Sequence, residues 1–325
     1  MKKACIVGYG AIGPIHARAL ESVEQAQLYA ICDIDEKARK LCLEKYPVIE
    51  YDDFDKMLED DNIDSVHICT PHYLHFEMIR KALAAGKDVV VEKPMTMTKE
   101  EYDQLLGLEK AEEVCVVLQN RLNPCTQKLK KLVESGELGE VKAAKGILTW
   151  SRDQAYYASG AWRGKWATEG GGVLINQAVH TLDYFSYVVG DVASVRANMF
   201  NYSLEDVIEV EDTFTASLKL KNGVKGIFFA TNAYPVNSDP LFEVVFEKGV
   251  ARYTDKKLWV NGELLAEDVH PAIGKAYWGS GHEALLKRYY DGHEHFTLKD
   301  SLNTMETMFA MYDSAKNGGR ENKIS

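Results

Sequence analysis

Apolar residues along the first third of the chain fall into two alternating patterns. Short unbroken runs, Ala4-Cys5-Ile6-Val7, Leu28-Tyr29-Ala30-Ile31-Cys32, Val48-Ile49-Glu50-Tyr51, Ser65-Val66-His67-Ile68-Cys69, Asp88-Val89-Val90-Val91 and Val114 to Leu118, predict six strands. Between them, apolar positions recur every three or four residues and predict helices over 14–20, 36–45, 52–59, 74–85 and 99–111. Gly86 stops one of these, and the capping box Thr98-Lys99-Glu100-Glu101 opens another. Strict strand–helix alternation predicts a doubly wound parallel sheet, with ligands beyond the carboxyl ends of its strands. Past position 120 the pattern changes. One helix, Cys125 to Glu134, is followed by runs of strand character: Val141 to Trp150, Ser194 to Asn201, Val210 to Lys219, Val224 to Thr231, Leu241 to Glu247 and Val250 to Tyr253. These predict a large, mostly antiparallel open sheet with helices on one face. Ser301 to Lys316 reads as a closing amphipathic helix and Asn317-Gly318-Gly319-Arg320 as a frayed end. At 325 residues the chain divides on this reading into an α/β domain over 1–120 and an α+β domain over 121–325.

The first strand runs into Gly8-Tyr9-Gly10-Ala11-Ile12-Gly13 and then into a helix. A turn without side chains lets the backbone approach a pyrophosphate, while a helix N-terminus offers N–H donors and partial positive charge. The second strand ends at Asp33, at the distance in sequence where a carboxylate accepts hydrogen bonds from an adenosine ribose. That charge opposes a 2′-phosphate, and Ile34-Asp35 brings no cation to receive one, so NAD is expected rather than NADP. Strand four ends in Cys69-Thr70-Pro71 with His75 close behind, and strand five in Glu92-Lys93-Pro94. Thr70, Pro71, His75, Glu92 and Lys93 therefore join the glycine turn as expected cofactor contacts. Lys93 stands beside a backbone-fixing proline where the nicotinamide half would lie.

A net charge of −11 with no Lys/Arg stripe speaks against nucleic acid, and no apolar stretch reaches membrane-spanning length. Met1-Lys2-Lys3 leads directly into a strand without a signal-peptide pattern, so a cytoplasmic location is expected. Six cysteines, none in a CxxC pair, read as small core hydrophobes. The close histidine pairs, His72/His75 and His293/His295, lack partners at zinc-site spacing, so no metal is expected.

The glycine fingerprint, Cys69-Thr70-Pro71 with His75, Glu92-Lys93-Pro94, and Gly170-Gly171-Gly172 leading through Asn176 and His180 to Asp183 together resemble the Gfo/Idh/MocA oxidoreductases over nearly the whole chain. The resemblance implies a sugar or polyol substrate against the nicotinamide, Lys93 on its reacting hydroxyl, His180 as the leading proton-transfer residue and a cis peptide at Lys93–Pro94. It also implies a homodimer or homotetramer formed through the second sheet. Many members carry Asp where this sequence has Asn176. If the segment is helical, Asn176 and His180 share one face, but Asn orients hydroxyls and takes no proton.

Alcohol oxidation needs an acceptor for the hydroxyl proton. An imidazole with a pKa near ~6.5 serves at neutral pH, whereas an ammonium must first lose its proton. His180 is thus the expected base and Lys93 the hydrogen-bond donor to the oxygen, with the roles open to exchange. Aromatic and polar residues cluster between Trp150 and Trp166 and suit sugar faces and hydroxyls. Arg121, Tyr156, Trp162, Arg163, Asn176, His180 and Lys93 are the expected substrate contacts. Three functions fit: a sugar or cyclitol dehydrogenase or reductase, a redox-neutral glycoside hydrolase or lyase that oxidises a hydroxyl transiently, and a non-catalytic NAD sensor.

Overall fold

The computed structural model describes residues 1–269 and 279–324. Contacts divide the chain into two compact units, Met1–Gln119 with the described part of Pro271–Asp300, and Asn120–His270 with Ser301–Ser325.

The first unit holds a six-stranded sheet of β1 (Lys2–Val7), β2 (Ala26–Cys32), β3 (Ile49–Tyr51), β4 (Ser65–Ile68), β5 (Asp88–Val91) and β6 (Cys115–Val116). The order is β3-β2-β1-β4-β5-β6 and every pairing is parallel. Connecting helices are α1 (Gly13–Leu20), α2 (Glu36–Leu43), α3 (Phe54–Leu58), α4 (His72–Ala84) and α5 (Lys99–Leu106). Central strands covered on both faces have no polar side to present, which is why Ala4, Cys5, Ile6, Val66, Ile68 and Val89 to Val91 are all buried. Side-chain caps set the helix starts. Asp35 accepts from Lys37 N, Asp53 from Lys56 N and Thr98 from Glu101 N, while Glu101 reaches back to Met97 N.

The second unit is built on a nine-stranded sheet. After α6 (Pro124–Ser135) come β7 (Val141–Thr149), α7 (Gln154–Ala158), α8 (Val179–Tyr184), β8 (Val192–Phe200), β9 (Thr213–Leu220), β10 (Lys225–Thr231), β11 (Leu241–Phe246), β12 (Gly249–Thr254), β13 (Lys257–Val260), β14 (Glu263–Glu267) and β15 (Asn322–Lys323). The order is β14-β13-β12-β11-β7-β10-β9-β8-β15, antiparallel except for β7 with β10. One face is filled by Ala144, Leu148, Phe214, Phe228, Phe242 and Val244.

The predicted architecture of both sheets is present, with local differences. Helix Gly281–Tyr290, which the sequence reading left inside the second domain, packs against α1 in the first unit. Its apolar positions are few, so its burial comes from His282, Leu285 and Leu286 rather than from a clear stripe. Strands β13 and β14 were not predicted; β14 is mostly exposed and lacks the alternation that marks a half-buried strand. Helix α5 stops at Leu106 with Gly107 as its cap, short of residue 111. The expected frayed end, Asn317 to Arg320, is instead tied down: Asn317 N donates to Asp313 O (3.0 Å) and Gly319 N to Ser314 O (2.9 Å), and the residues after it are held as well. Ile324 N donates to Ala193 O (2.8 Å) and Ser194 Oγ to Glu321 (2.7 Å), so β15 closes the sheet edge. All six cysteines are buried and unbridged, as expected of core hydrophobes. Among the described residues no helix is long and apolar enough to cross a membrane.

Candidate active site

The three glycines of the first turn carry three separate loads. Gly8 has φ +90°, and a Cβ there would lie 2.8 Å from the Cys69 carbonyl oxygen, so β1 meets the end of β4 only through a bare backbone. Gly13 is packed just as tightly: an added Cβ would stand 2.5 Å from Gly8 O. Gly10 is different, because nothing of the protein lies within 4 Å of its would-be Cβ. The corner is closed towards the protein at Gly8 and Gly13 and open at Gly10, where Gly10 and Ala11 are exposed. That space fits a diphosphate, and the α1 N-terminus beyond Ile12 has no side-chain cap competing for its N–H groups.

Asp33 closes the same corner. Its Oδ2 accepts from Tyr9 N (2.7 Å) and its Oδ1 from Asp35 N (2.8 Å), so the carboxylate fixes the glycine turn while each oxygen keeps a further acceptor site for a ribose hydroxyl. The cation bonded at this position, Arg39, donates to Asp33 O (2.7 Å) and to the Glu50 carboxylate (2.8 Å). It is committed to protein acceptors, which suits NAD.

At the ends of β4 and β5 the structure separates surface groups from braces. Thr70, Pro71 and Lys93 are half-buried, and the Lys93–Pro94 peptide is cis, as the family resemblance implied. His75 is buried, with Nδ1 2.7 Å from Pro94 O and Nε2 2.8 Å from Thr70 O. It lies between the two strand ends. Burial pushes the His75 pKa down, against its two carbonyl partners and the nearby Glu92. Glu92 also has partners within the protein. Its side chain turns inward to His16 and His282, and although burial pushes its carboxyl up, those hydrogen bonds outweigh burial and hold it well below the usual range. His16, Glu92 and His282 bring three possible ligand atoms within 4.8 Å of one another, a cluster that no local spacing announced.

In the second unit, Arg121 pairs with a carboxylate. Its Nε and Nη2 donate to Asp183 at 2.8 and 2.7 Å, both residues are buried, and Thr304 Oγ1 adds a third bond to Asp183 at 2.7 Å. Burial alone would raise the Asp183 carboxyl; the Arg121 guanidinium outweighs it and holds the pKa below the ordinary value. The pair anchors α8 one turn from His180, which is half-buried. Asn176 does not share a continuous helix with His180. It lies in a run of turns ending in a wide one, Ala178 N to Val173 O, and α8 begins only at Val179.

Asn176 Nδ2 donates to Glu169 Oε1 (2.5 Å), and Glu169 Oε2 accepts from Gly164 N (2.5 Å). Since a carboxylate only accepts, the amide end must face Glu169 and the carbonyl end of Asn176 turns elsewhere. Tyr156, Trp162 and Arg163 are brought together. The Arg163 guanidinium lies over the rings of Tyr156 and Trp162, 4.6 and 4.5 Å from their centroids, while Arg163 Nη1 and Gln177 Nε2 both donate to the Tyr156 hydroxyl. Tyr157, by contrast, belongs to a packed cluster with Leu204, Ile208 and Val210.

The sequence reading missed Glu169 and Glu211. Glu211 is buried against the glycine run, accepting from Gly172 N, Leu174 N and the Tyr312 hydroxyl, and burial raises its carboxyl to about 7. A Cβ at Gly171 would overlap the Tyr312 hydroxyl and one at Gly172 the Glu211 carbonyl, so these glycines exist for that packing. A signal for Glu211 was present, since the stretch Val207-Ile208-Glu209-Val210-Glu211-Asp212 sets carboxylates among apolar residues at the mouth of a strand.

A glycine corner open at Gly10, an Asp33 carboxylate bonded to that corner and a lysine at a strand end are features of a dinucleotide-dependent oxidoreductase. The sequence matches the oxidoreductase family with an NAD-binding Rossmann fold over residues 2–120 and the GFO/IDH/MocA C-terminal domain over residues 126–252. Scyllo-inositol 2-dehydrogenase (NAD(+)) of Bacillus subtilis is 30% identical over 261 residues, covering 76% of this chain and 72% of that protein. Myo-inositol 2-dehydrogenase of Thermotoga maritima is 29% identical over 250 residues, covering 75% and 72%. Among solved structures, the WlbA dehydrogenase of Bordetella pertussis in complex with NADH and UDP-GlcNAcA superposes with a TM-score of 0.89 at 28% identity, covering 100% of this chain and 98% of that one. The chain belongs to the GFO/IDH/MocA family of NAD-binding oxidoreductases.

Proposed function

We propose that this protein moves a hydride between NAD and a secondary alcohol or ketone of a sugar, sugar derivative or cyclitol. The observation that carries the reading is the corner at Gly10, open on the side where Gly8 and Gly13 are closed. NAD, held by residues 8–13, Asp33, Thr70 and Pro71, supplies the hydride acceptor when bound. Lys93 donates a hydrogen bond to the reacting oxygen and stabilises its developing charge. His180 takes the hydroxyl proton, and Asn176, oriented by Glu169, accepts from a neighbouring hydroxyl. Tyr156, Trp162 and Arg163 offer aromatic faces and fixed donors suited to a polyhydroxylated ring. The names of the inositol dehydrogenases and the nucleotide-sugar in the WlbA complex support the same substrate class.

A panel of free sugars, cyclitols and glycosides incubated with NAD tests the reading, with nicotinamide reduction and aglycone release recorded together. Net reduction that disappears in Lys93→Met and falls most near neutral pH in His180→Asn is the expected result. Aglycone release without net reduction would assign the redox-neutral hydrolase instead. We further propose a homodimer or homotetramer built on the outer face of the nine-stranded sheet, where Ile227 is 61% exposed, and light scattering showing a monomer would refute it. The six unbridged cysteines suit a reducing, cytoplasmic compartment.

A further inference from the structure

Arginines of the second unit differ in what balances their charge. Arg121, Arg196 and Arg252 each face a carboxylate, of Asp183, Glu321 and Glu243. Arg152 and Arg163 are half-buried, and neither pairs with a carboxylate among the described residues. In a chain of net charge −11 this is a local reversal of sign. Both guanidiniums lie against one ring. Arg152 stands 5.1 Å from the centroid of Tyr156 and 4.7 Å from that of Trp150, while Arg163 covers Tyr156 and Trp162. Each is also tied in place. Arg152 Nη1 donates to Ser151 O (2.7 Å) and Asn237 Oδ1 (2.9 Å), and Arg163 Nη1 to Tyr156 Oη (2.6 Å). Arg152 Nε is buried with no partner among the described residues.

The two acidic side chains of the segment are engaged elsewhere. Asp153 Oδ1 caps α7 by accepting from Tyr156 N (2.9 Å), and Glu169 accepts from Gly164 N and Asn176 Nδ2. A guanidinium stays charged and has donors only, so its hydrogen bonds run in one direction whatever surrounds it. Two such cations on one ring repel, and although the rings return part of that cost, neither a ring nor a carbonyl neutralises charge. An anionic group received by both does. Laid flat on a ring, a guanidinium keeps its N–H edge for in-plane bonds, the geometry that takes two oxygens of a carboxylate or phosphate.

The pair is joined to the groups expected to meet substrate. Gly164, which follows Arg163, shares Glu169 with Asn176, and Tyr156 Oη lies 2.9 Å from Nε2 of Gln177, which follows Asn176. We propose that Arg152 and Arg163 form an anion subsite, and that the sugar or cyclitol taken by this protein carries a carboxylate or phosphate group. That the bound molecule is oxidised rests on the function proposed above; that the subsite selects an acidic one does not.

Matched probes test this with the full-length protein and NAD: D-glucose, D-glucuronate and D-glucose 6-phosphate, the corresponding galactose set, myo-inositol with its 1-phosphate, and UDP-glucose with UDP-glucuronate. NADH formation and calorimetric binding are both recorded. The expected result is an acidic member used with kcat/KM about tenfold or more above the partner lacking that group, the scale of one charged hydrogen bond. Which member gains tells a carboxylate from a phosphate. In Arg152→Met and in Arg163→Met the ratio should fall towards one, through KM rather than kcat. A ratio within about twofold of one in the parent overturns the proposal. So does an unchanged ratio in either folded variant, or a panel in which no acidic member is bound or used. Should a Met variant fail to fold, Lys at the same position keeps the cation without the fork; the ratio should still fall about threefold or more, and no change refutes the subsite. Acidic probes that bind more tightly than their partners, and lose that advantage in the variants, with no NADH formed would leave the subsite standing and remove the hydride transfer. A neutral sugar oxidised as well as its acids would do the reverse.

Discussion

Replacing Arg121 with Met separates two roles that its sequence position does not distinguish. Read from the sequence, Arg121 contacts substrate; in the fold its guanidinium is spent on Asp183 through bonds of 2.8 and 2.7 Å, with side-chain exposures of 4% and 2%. Removing one partner of such a pair strands a buried charge and costs about 3–5 kcal/mol. Thr304 still donates to Asp183 at 2.7 Å, and the Met stem still covers Tyr187, which places the loss near the lower bound. For a unit the size of the one that holds this pair, each kcal/mol moves Tm by about 2–4 °C, so Arg121→Met should melt roughly 6–12 °C lower. Arg121→Met/Asp183→Leu removes both charges and should recover most of that loss, since an apolar pair of similar volume is close to neutral. Thermal unfolding of the four proteins of this double-mutant cycle gives the coupling energy. A Tm within about 2 °C of the parent in Arg121→Met, together with a raised KM for substrate, would return Arg121 to the ligand and refute the anchoring role.

The glycine corner predicts a split between folding and binding. Gly8→Ala and Gly13→Ala should destabilise the protein, the former by at least the roughly 1–2 kcal/mol of a left-handed backbone, whereas Gly10→Ala should leave Tm unchanged and weaken NAD about tenfold or more in calorimetry. Equal Tm losses at all three positions would contradict the open corner. Glu211 supplies a pH dependence. Its folded pKa, raised to about 7 from the ordinary 4.5, means the native state holds a proton that the unfolded chain releases. Its stabilising contribution is complete below about 4.5 and is lost as pH rises to about 7, a swing of roughly 3 kcal/mol. Urea unfolding from pH 5 to 8 should show that decline in the parent and not in Glu211→Gln; parallel curves would refute it.

Much of the fold was legible because its signals are local. Buried parallel strands read as unbroken apolar runs, Thr98 and Gly86 punctuate helices through their own backbone and capping chemistry, and the spacing from Gly8 to Asp33 is set by one strand–helix–strand unit. Helix Gly281–Tyr290 was not legible, since its attachment to α1 depends on contacts across more than half the chain. Strand β15 was missed for a related reason: two residues become a strand only because β8 presents an edge to pair with.

The amino-acid order alone determined the parallel sheet, most strands of the second sheet, the glycine turn after β1 and the residue types able to move a proton at Lys93 and His180. Tertiary structure decided which polar groups are available for chemistry. Arg121, His75 and Glu92 each have a partner 62, 19 or 76 positions away in the chain that no local spacing announces: Asp183, Pro94 and His16. A buried polar group must find a partner or lose free energy, and that partner is chosen by packing in space rather than by spacing in sequence.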